Sequence, residues 1–262
     1  MKSTDISYRF RVKTYEGHIF KVLIELLQGI INSACFTINH DGIFLRMFDS
    51  HQKILVNLEL NSSNFNVFEL TEEMNLGLNL GHFYKMLKSI KKKDPVLLYV
   101  DDKAPDQLQF IICPHDNTRK VHTSIQIKSM QSVTCPLPGP FNHPVKISAI
   151  DFQSALKDMI NINSTLRIKM HRYSVHFSCE SNNICSRSVV FGELDEHDPN
   201  ILYDEKFDME IFTRILKISG IGKSLDIHNG GIHEPLCIKT NIGHLGKISL
   251  YIKSNAHIYD QN

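Results

Sequence analysis

The chain has 262 residues, 42% of them hydrophobic and 22% charged, with a formal net charge of +1. That is ordinary globular composition, and the length suits one large domain or two smaller ones that each bury a core. No run approaches the roughly 20 apolar residues of a membrane span, and the six cysteines include no C-x-x-C pair that would suggest a zinc ribbon or a thioredoxin-type site.

The opening MKSTDISYRF has no apolar signal core, so the chain reads as reduced, intracellular and soluble, and the sequons at Asn61 and Asn163 are expected to stay unglycosylated. The first strong element is FKVLIELLQGI, where Phe20, Leu23, Ile24, Leu27 and Ile31 recur at helical spacing. Strand-like segments ACFTIN, IFLRMF and ILVNLEL follow, with a hairpin signal at His40-Asp41-Gly42. Next comes a helix at F-Y-K-M-L-K, residues 83–88, and then the strand VLLYV.

The segment KSMQSVTCPLPGPFNHP has prolines at 136, 138, 140 and 144, which remove donors and fix φ, so it reads as an extended surface linker. Beyond it the pattern repeats. A helix stripe recurs at Phe152, Ala155, Leu156 and Met159, although Asn163 breaks the match to Ile31. TLRIKM, VHFSC and SVVFGEL follow as strands, then F-T-R-I-L-K at residues 212–217 and the strand SLDI. This predicts an α+β fold of two copies of one unit: an N-terminal domain over 1–127, a connector over 128–145 and a C-terminal domain over 146–262.

At 100° per residue, Phe83, Met86, Leu87 and Ile90 form one stripe, with Lys85, Lys88 and Lys92 opposite. The second copy turns Phe212, Ile215 and Leu216 inward and is expected to turn Arg214 and Lys217 outward. The outer positions of the first helix in each half hold His18, Lys21, Glu25 and Gln28, then Gln153, Lys157 and Asn161. Lys91-Lys92-Lys93 adds a cluster, while GELDEHDPNILYDEK gathers acidic residues elsewhere. A near-neutral chain with basic and acidic surfaces apart could hold a polyanion by phosphate contacts alone. A lysine on a helix surface is otherwise a solvated side chain.

Catalytic and metal readings fit poorly. Ser219–Ser224 ends in G-K-S, but Lys217 occupies the first glycine position of a phosphate loop, and the stretch runs from helix to strand rather than strand to helix. His171 and His176 are expected on different faces of a strand-turn-strand, and Cys179 and Cys185 lack tetrahedral partner spacing. Asp101-Asp102 directly follows a strand and reads as a turn. No cofactor and no metal are expected.

Three segments resemble the DNA sliding clamps of the proliferating cell nuclear antigen (PCNA) type: IINSACFTINHDGIFLRMFDS, NLGLNLGHFYKMLKSI and, near the C-terminus, LGKISLYI, with Pro235-Leu236 opening the strand before. The resemblance implies the DNA clamp fold, with two similar domains of repeated β-α-β-β-β units per chain. A homotrimer would close head to tail, with helices lining the hole and sheets outside. Edge strands near 119–127 of one chain and 175–181 of the next would pair. It places Lys21, Lys85, Lys88, Lys157 and Lys217 on DNA-facing positions; Arg214 rests on the internal repeat. Val22 and Gln28 stand where the family has further lysines.

The resemblance also implies a partner pocket for the PIP box, a short hydrophobic plug. Phe48, Leu55, Pro235, Tyr251 and Ile252 would form its walls, and Met130, Val133 and Leu137 its cover. Its implied partners are double-stranded DNA, DNA polymerase and other PIP-box proteins, an ATP-dependent clamp loader and two further copies of the chain, with no membrane. The implied location is the nucleus, or a viral replication compartment. A subunit of a heterotrimeric checkpoint-type clamp and a clamp-fold accessory protein that closes no ring are the competing readings.

Overall fold

The computed structural model describes residues 7–112, 120–131, 135–181, 184–193, 200–231 and 234–259. In chain order, β1 (Tyr8–Thr14) leads to α1 (Gly17–Ile30), β2 (Ser33–Asn39), β3 (Gly42–Phe48), β4 (Ile54–Asn61), β5 (Val67–Leu70) and β6 (Met74–Asn79). Helix α2 (Leu80–Leu87), β7 (Val96–Asp101), β8 (Ala104–Ile112) and β9 (Val121–Gln126) follow. Then come β10 (Val145–Ser148), α3 (Ala149–Met159), β11 (Thr165–Met170), β12 (Ser174–Ser181) and β13 (Cys185–Gly192). The chain continues through β14 (Tyr203–Asp208), α4 (Met209–Ile215), β15 (Ser224–His228), β16 (Leu236–Ile242), β17 (Gly246–Ile252) and α5 (Asn255–Tyr259).

Two compact units emerge. The first comprises Met1–Met47, Asn57–Thr134 and Ile242–Lys247; the second comprises Phe48–Val56, Cys135–Asn241 and Ile248–Asn262. This is not a single cut at the connector, because β4 and β17 each contribute residues to both units.

In the first unit, β5-β1-β7-β8-β9 form one antiparallel sheet, and β2 lies between β3 and β6. The expected stripe of α1 is buried at Phe20, Leu23, Ile24, Leu27 and Ile31, and Val22 and Leu26 join it. A fully buried leucine of this kind stabilises by about 1.5–3 kcal/mol. Phe83 of α2 sits edge-on to Phe20 at 6.1 Å and to Phe110 at 6.4 Å, so the helix pair and the sheet share one core.

Three helices start at a polar cap immediately after a strand. The side chain of Asn79 accepts from the His82 amide of α2, Ser148 from the Asp151 amide of α3, and Asp208 from the Glu210 amide of α4. Each satisfies one orphan N–H of the first turn. The helices end sooner than periodicity suggests. α2 stops at Leu87, because the Asp94 carboxylate accepts from the Lys91 amide at 2.9 Å to form a turn and Pro95 follows. Lys92 therefore lies in that turn and not on the helix. Asn161 lies beyond α3, and Lys217 lies in the 3-10 turn Leu216–Gly220 that follows α4.

In the second unit, the four-stranded sheet runs β13-β12-β11-β14, and β10-β15-β16-β17 are neighbours in a second sheet. Phe152 of α3 packs on Phe177, and Phe212 of α4 packs on Phe207, both at 5.7 Å. Residues 175–181 are not an edge: β12 is paired on both sides, with β11 and with β13. The edge is β13, which the sequence expectation placed too late, at 188–194. It starts at Cys185 and ends at Gly192, whose φ of +89° and a would-be Cβ 2.1 Å from the Tyr173 carbonyl admit only glycine.

His171 and His176 do not point apart. His176 faces Lys169 across the ladder, and His171 is two residues on from Lys169, which returns it to the same face. Their ring centroids are 5.0 Å apart. Between β9 and β10 the described residues form no helix or strand, but Lys128 bridges to Gly77, where a Cβ would lie 2.2 Å from the Lys128 carbonyl.

Candidate functional site: basic helix faces and an aromatic cluster

The basic positions separate into three kinds. Lys85 of α2, Lys88 just after it, Lys157 of α3 and Lys217 are exposed, and the Lys88 ammonium lies 5.5 Å from the centre of the Tyr84 ring. Lys21 of α1 is half-buried, and its ammonium donates to the Ile90 carbonyl at 2.7 Å. Beside it, burial first and then the Lys21 and Lys92 charges push the His18 imidazole below its ordinary pKa.

Arg214 corrects the outward expectation. Its guanidinium donates to Asp49 Oδ2 at 3.0 Å, with the Arg214 side chain 20% exposed and that of Asp49 0%. Asp49 Oδ1 accepts from the Lys53 and Ile54 amides at 2.7 and 2.8 Å. Lys53 in turn pairs with Asp208, the α4 cap, at 3.2 Å. The repeat matched Arg214 to Lys85 by position, but in the second unit a buried carboxylate takes its charge.

The expected pocket residues divide as well. Leu55 and Tyr251 come together with Cys237 in a buried cluster, on which Phe48, Cys135 and Phe141 pack partly buried. Pro235 is buried and Ile252 is fully buried, and neither belongs to that cluster. Leu137 is 39% exposed. Met130 belongs to the first unit, where its carbonyl accepts from Cys35 Sγ and its side chain lies against Gly77. Val133 lies outside the described residues.

Phe141 is the residue that sequence reasoning missed. Its ring lies 5.6 Å from Tyr251 and 6.3 Å from His228, with the Lys239 ammonium 5.8 Å from its centre. The following Asn142 is stapled to β15's end: its amide donates to the Asn229 carbonyl at 2.8 Å, its side-chain amide donates to Asn229 Oδ1 at 2.6 Å, and His228 Nδ1 donates to its carbonyl at 3.0 Å. A lone aromatic residue between Pro140 and Pro144 was the available signal. Burial pushes the Cys237 thiol up to about 12, so it stays protonated and packs as a small apolar group.

Comparison with known proteins agrees with this architecture. Residues 9–134 match the family model described as proliferating cell nuclear antigen, N-terminal domain. The chain is 22% identical over 256 residues to the "Probable DNA polymerase sliding clamp 1" of Paramecium bursaria Chlorella virus 1, covering 95% of this chain and 97% of that one. It is 25% identical over 214 residues to the "DNA polymerase sliding clamp" of Thermococcus onnurineus, covering 80% of each. The crystal structure of proliferating cellular nuclear antigen from Entamoeba histolytica superposes with a TM-score of 0.84 at 17% identity, over 95% of this chain and all of that one. Residues 9–134 thus match the PCNA N-terminal domain, and the chain as a whole is similar to the PCNA-type DNA sliding clamps in sequence and in fold.

Proposed function

We propose that this chain is a homotrimeric DNA sliding clamp that encircles duplex DNA without reading its sequence and tethers DNA polymerase and other PIP-box proteins to it. The observation that carries the reading is that the helices of both units carry exposed lysines: Lys85 on α2 and Lys88 just after it in the first, Lys157 on α3 and Lys217 just after α4 in the second. Contacts of this kind go to phosphate, are individually weak and exchange readily, so they permit sliding while topology does the holding. The chemistry asked of the protein is tethering, which raises the local concentration of a bound polymerase at the primer end. No catalytic step is assigned to it, and opening the ring falls to a separate ATP-dependent loader. Its place of work is the nucleus or a viral replication compartment.

The self-contact is read as main-chain pairing between the free edge of β9 in one copy and the free edge of β13 in the next. The cluster of Phe48, Leu55, Tyr251 and Phe141 is read as the seat of the PIP-box plug. Light scattering behind a sizing column tests the assembly: a mass near three times 30.1 kDa is expected. A mass of one chain at every concentration overturns the homotrimer and favours a heterotrimer subunit or an accessory protein. Retention on nicked circular DNA, with escape from the linearised form, tests encirclement.

A further inference from the structure

Each of the two partly buried rings of the aromatic cluster carries a lysine. The Lys239 ammonium lies 5.8 Å from the centre of the Phe141 ring, and the Lys253 ammonium 5.7 Å from the centre of the Phe48 ring. Strand alternation puts them there. Lys239 follows Cys237 by two residues on β16, and Lys253 follows Tyr251 by two residues at the end of β17, so each lysine shares a face with a buried member of the cluster. The Lys253 amide donates to the Lys53 carbonyl at 3.0 Å, which continues the strand pairing to that point. Both lysines are half-buried. An ammonium attracted to a ring face still has N–H donors to give an acceptor.

The carboxylates of this region are largely engaged elsewhere. Asp49 is held by Arg214 at 3.0 Å and Asp208 by Lys53 at 3.2 Å. Asp226 stands opposite Lys239 in the ladder, but its Oδ1 pairs with the Lys146 ammonium at 3.8 Å. Glu234 lies near Phe141, since a Cβ at Gly230 would be 2.5 Å from Glu234 Cβ and 3.3 Å from the Phe141 ring. Lys239 forms no ion pair among the described residues. We propose that Lys239 and Lys253 make the cluster select a hydrophobic plug flanked by acidic side chains. The inference rests on the PIP-box reading given above. The apolar side chains of the plug pack on Phe48, Phe141 and Tyr251, and flanking Asp or Glu carboxylates accept charge-assisted hydrogen bonds from the two ammonium groups. Such pairs stay partly solvated, so they act chiefly on encounter and on the choice of partner. A plug flanked by lysines sets like charges side by side and is rejected.

Two peptides that share one PIP-box plug, one flanked by glutamates and the other by lysines, are titrated calorimetrically into the intact chain at low and at high salt. The glutamate form is expected to bind about tenfold more tightly at low salt, and the gap to close at high salt. The double variant Lys239→Glu with Lys253→Glu is expected to reverse the order. The double variant Lys239→Arg with Lys253→Arg is expected to keep it, which separates charge from packing on the rings. Equal affinities of the wild type for the two peptides, or a glutamate preference that survives in the Lys→Glu double variant, overturn the charge selection and leave the plug reading standing. A wild type that binds neither peptide at either salt overturns the plug reading itself. A glutamate peptide without the plug that binds as tightly as the full one makes this a general anion surface and overturns the proposed partner.

Discussion

Arg214 and Asp49, 165 residues apart in sequence, form a 3.0 Å ion pair in which the carboxylate side chain has no exposed surface. Two backbone amides complete the coordination of that carboxylate. Removing the guanidinium strands a buried charge, whereas removing both partners does not. Arg214→Ala is therefore expected to destabilise the second unit by about 3–5 kcal/mol. The double variant with Asp49→Asn should lose less than the sum of the two single variants, read by urea denaturation as a double-mutant cycle.

Lys85, Lys88, Lys157 and Lys217 are exposed, so their removal should act on DNA and not on folding. Each change to glutamine that removes one phosphate contact is expected to lower the slope of log affinity against log salt by about 0.9. Unfolding free energy should change by no more than an ordinary surface substitution allows, about 0.5 kcal/mol. A large loss of stability in Lys157→Gln would argue that this lysine is structural.

At the free edge of β13, Ile184 just before the strand is 83% exposed and Val190 within it is 42% exposed. Apolar side chains at a sheet edge are a liability unless another chain covers them. The double substitution Ile184→Asp and Val190→Asp is expected to shift the solution mass from near three times 30.1 kDa to one chain, with the circular dichroism unchanged. An unchanged mass would place the self-contact elsewhere.

Phe141 contacts Tyr251 and His228 from a connector that is only partly buried. Each aromatic contact adds about 0.5–1.5 kcal/mol, so Phe141→Ala should weaken a PIP-box peptide about tenfold in a calorimetric titration while the chain stays folded. Tyr251→Ala differs in kind. That ring is 6% exposed, and its loss is expected to cost about 3–5 kcal/mol of stability as well.

Burial, then His171 and Lys169, lower the His176 pKa from its ordinary 6.5. A folded pKa below the unfolded one means that the unfolded chain binds the proton first. Stability contributed by the neutral ring is complete above about pH 6.5 and falls as pH drops towards the folded pKa. The melting temperature is expected to decrease between about pH 7.5 and about pH 5.5, and His176→Gln should make that decrease shallower. His18 and His228, lowered chiefly by burial, leave a residual slope.

Local order was legible in the sequence wherever local forces fix it. Apolar periodicity at Phe20, Leu23, Ile24 and Leu27 gave the buried face of α1, and the repeat at Phe152 and Phe212 gave the corresponding helices of the second unit. Proline spacing marked 136–144 as a segment without helix or strand. Those features depend on neighbours a few residues away. What the tertiary structure alone decided depends on ladders and contacts closed across long stretches of chain. Arg214 looked like an outward twin of Lys85 until Asp49 was brought beside it, and no spacing rule links residues that far apart. β12 looked like an edge until β13 paired along its whole length, from Ser174 with Gly192 to Ser181 with Cys185. His171 and His176 met because the strand register, set by both flanking strands, turns alternate residues to one face. Sequence determined which segments fold and which faces are apolar; only the closed fold decided which charges remain at the surface to meet DNA.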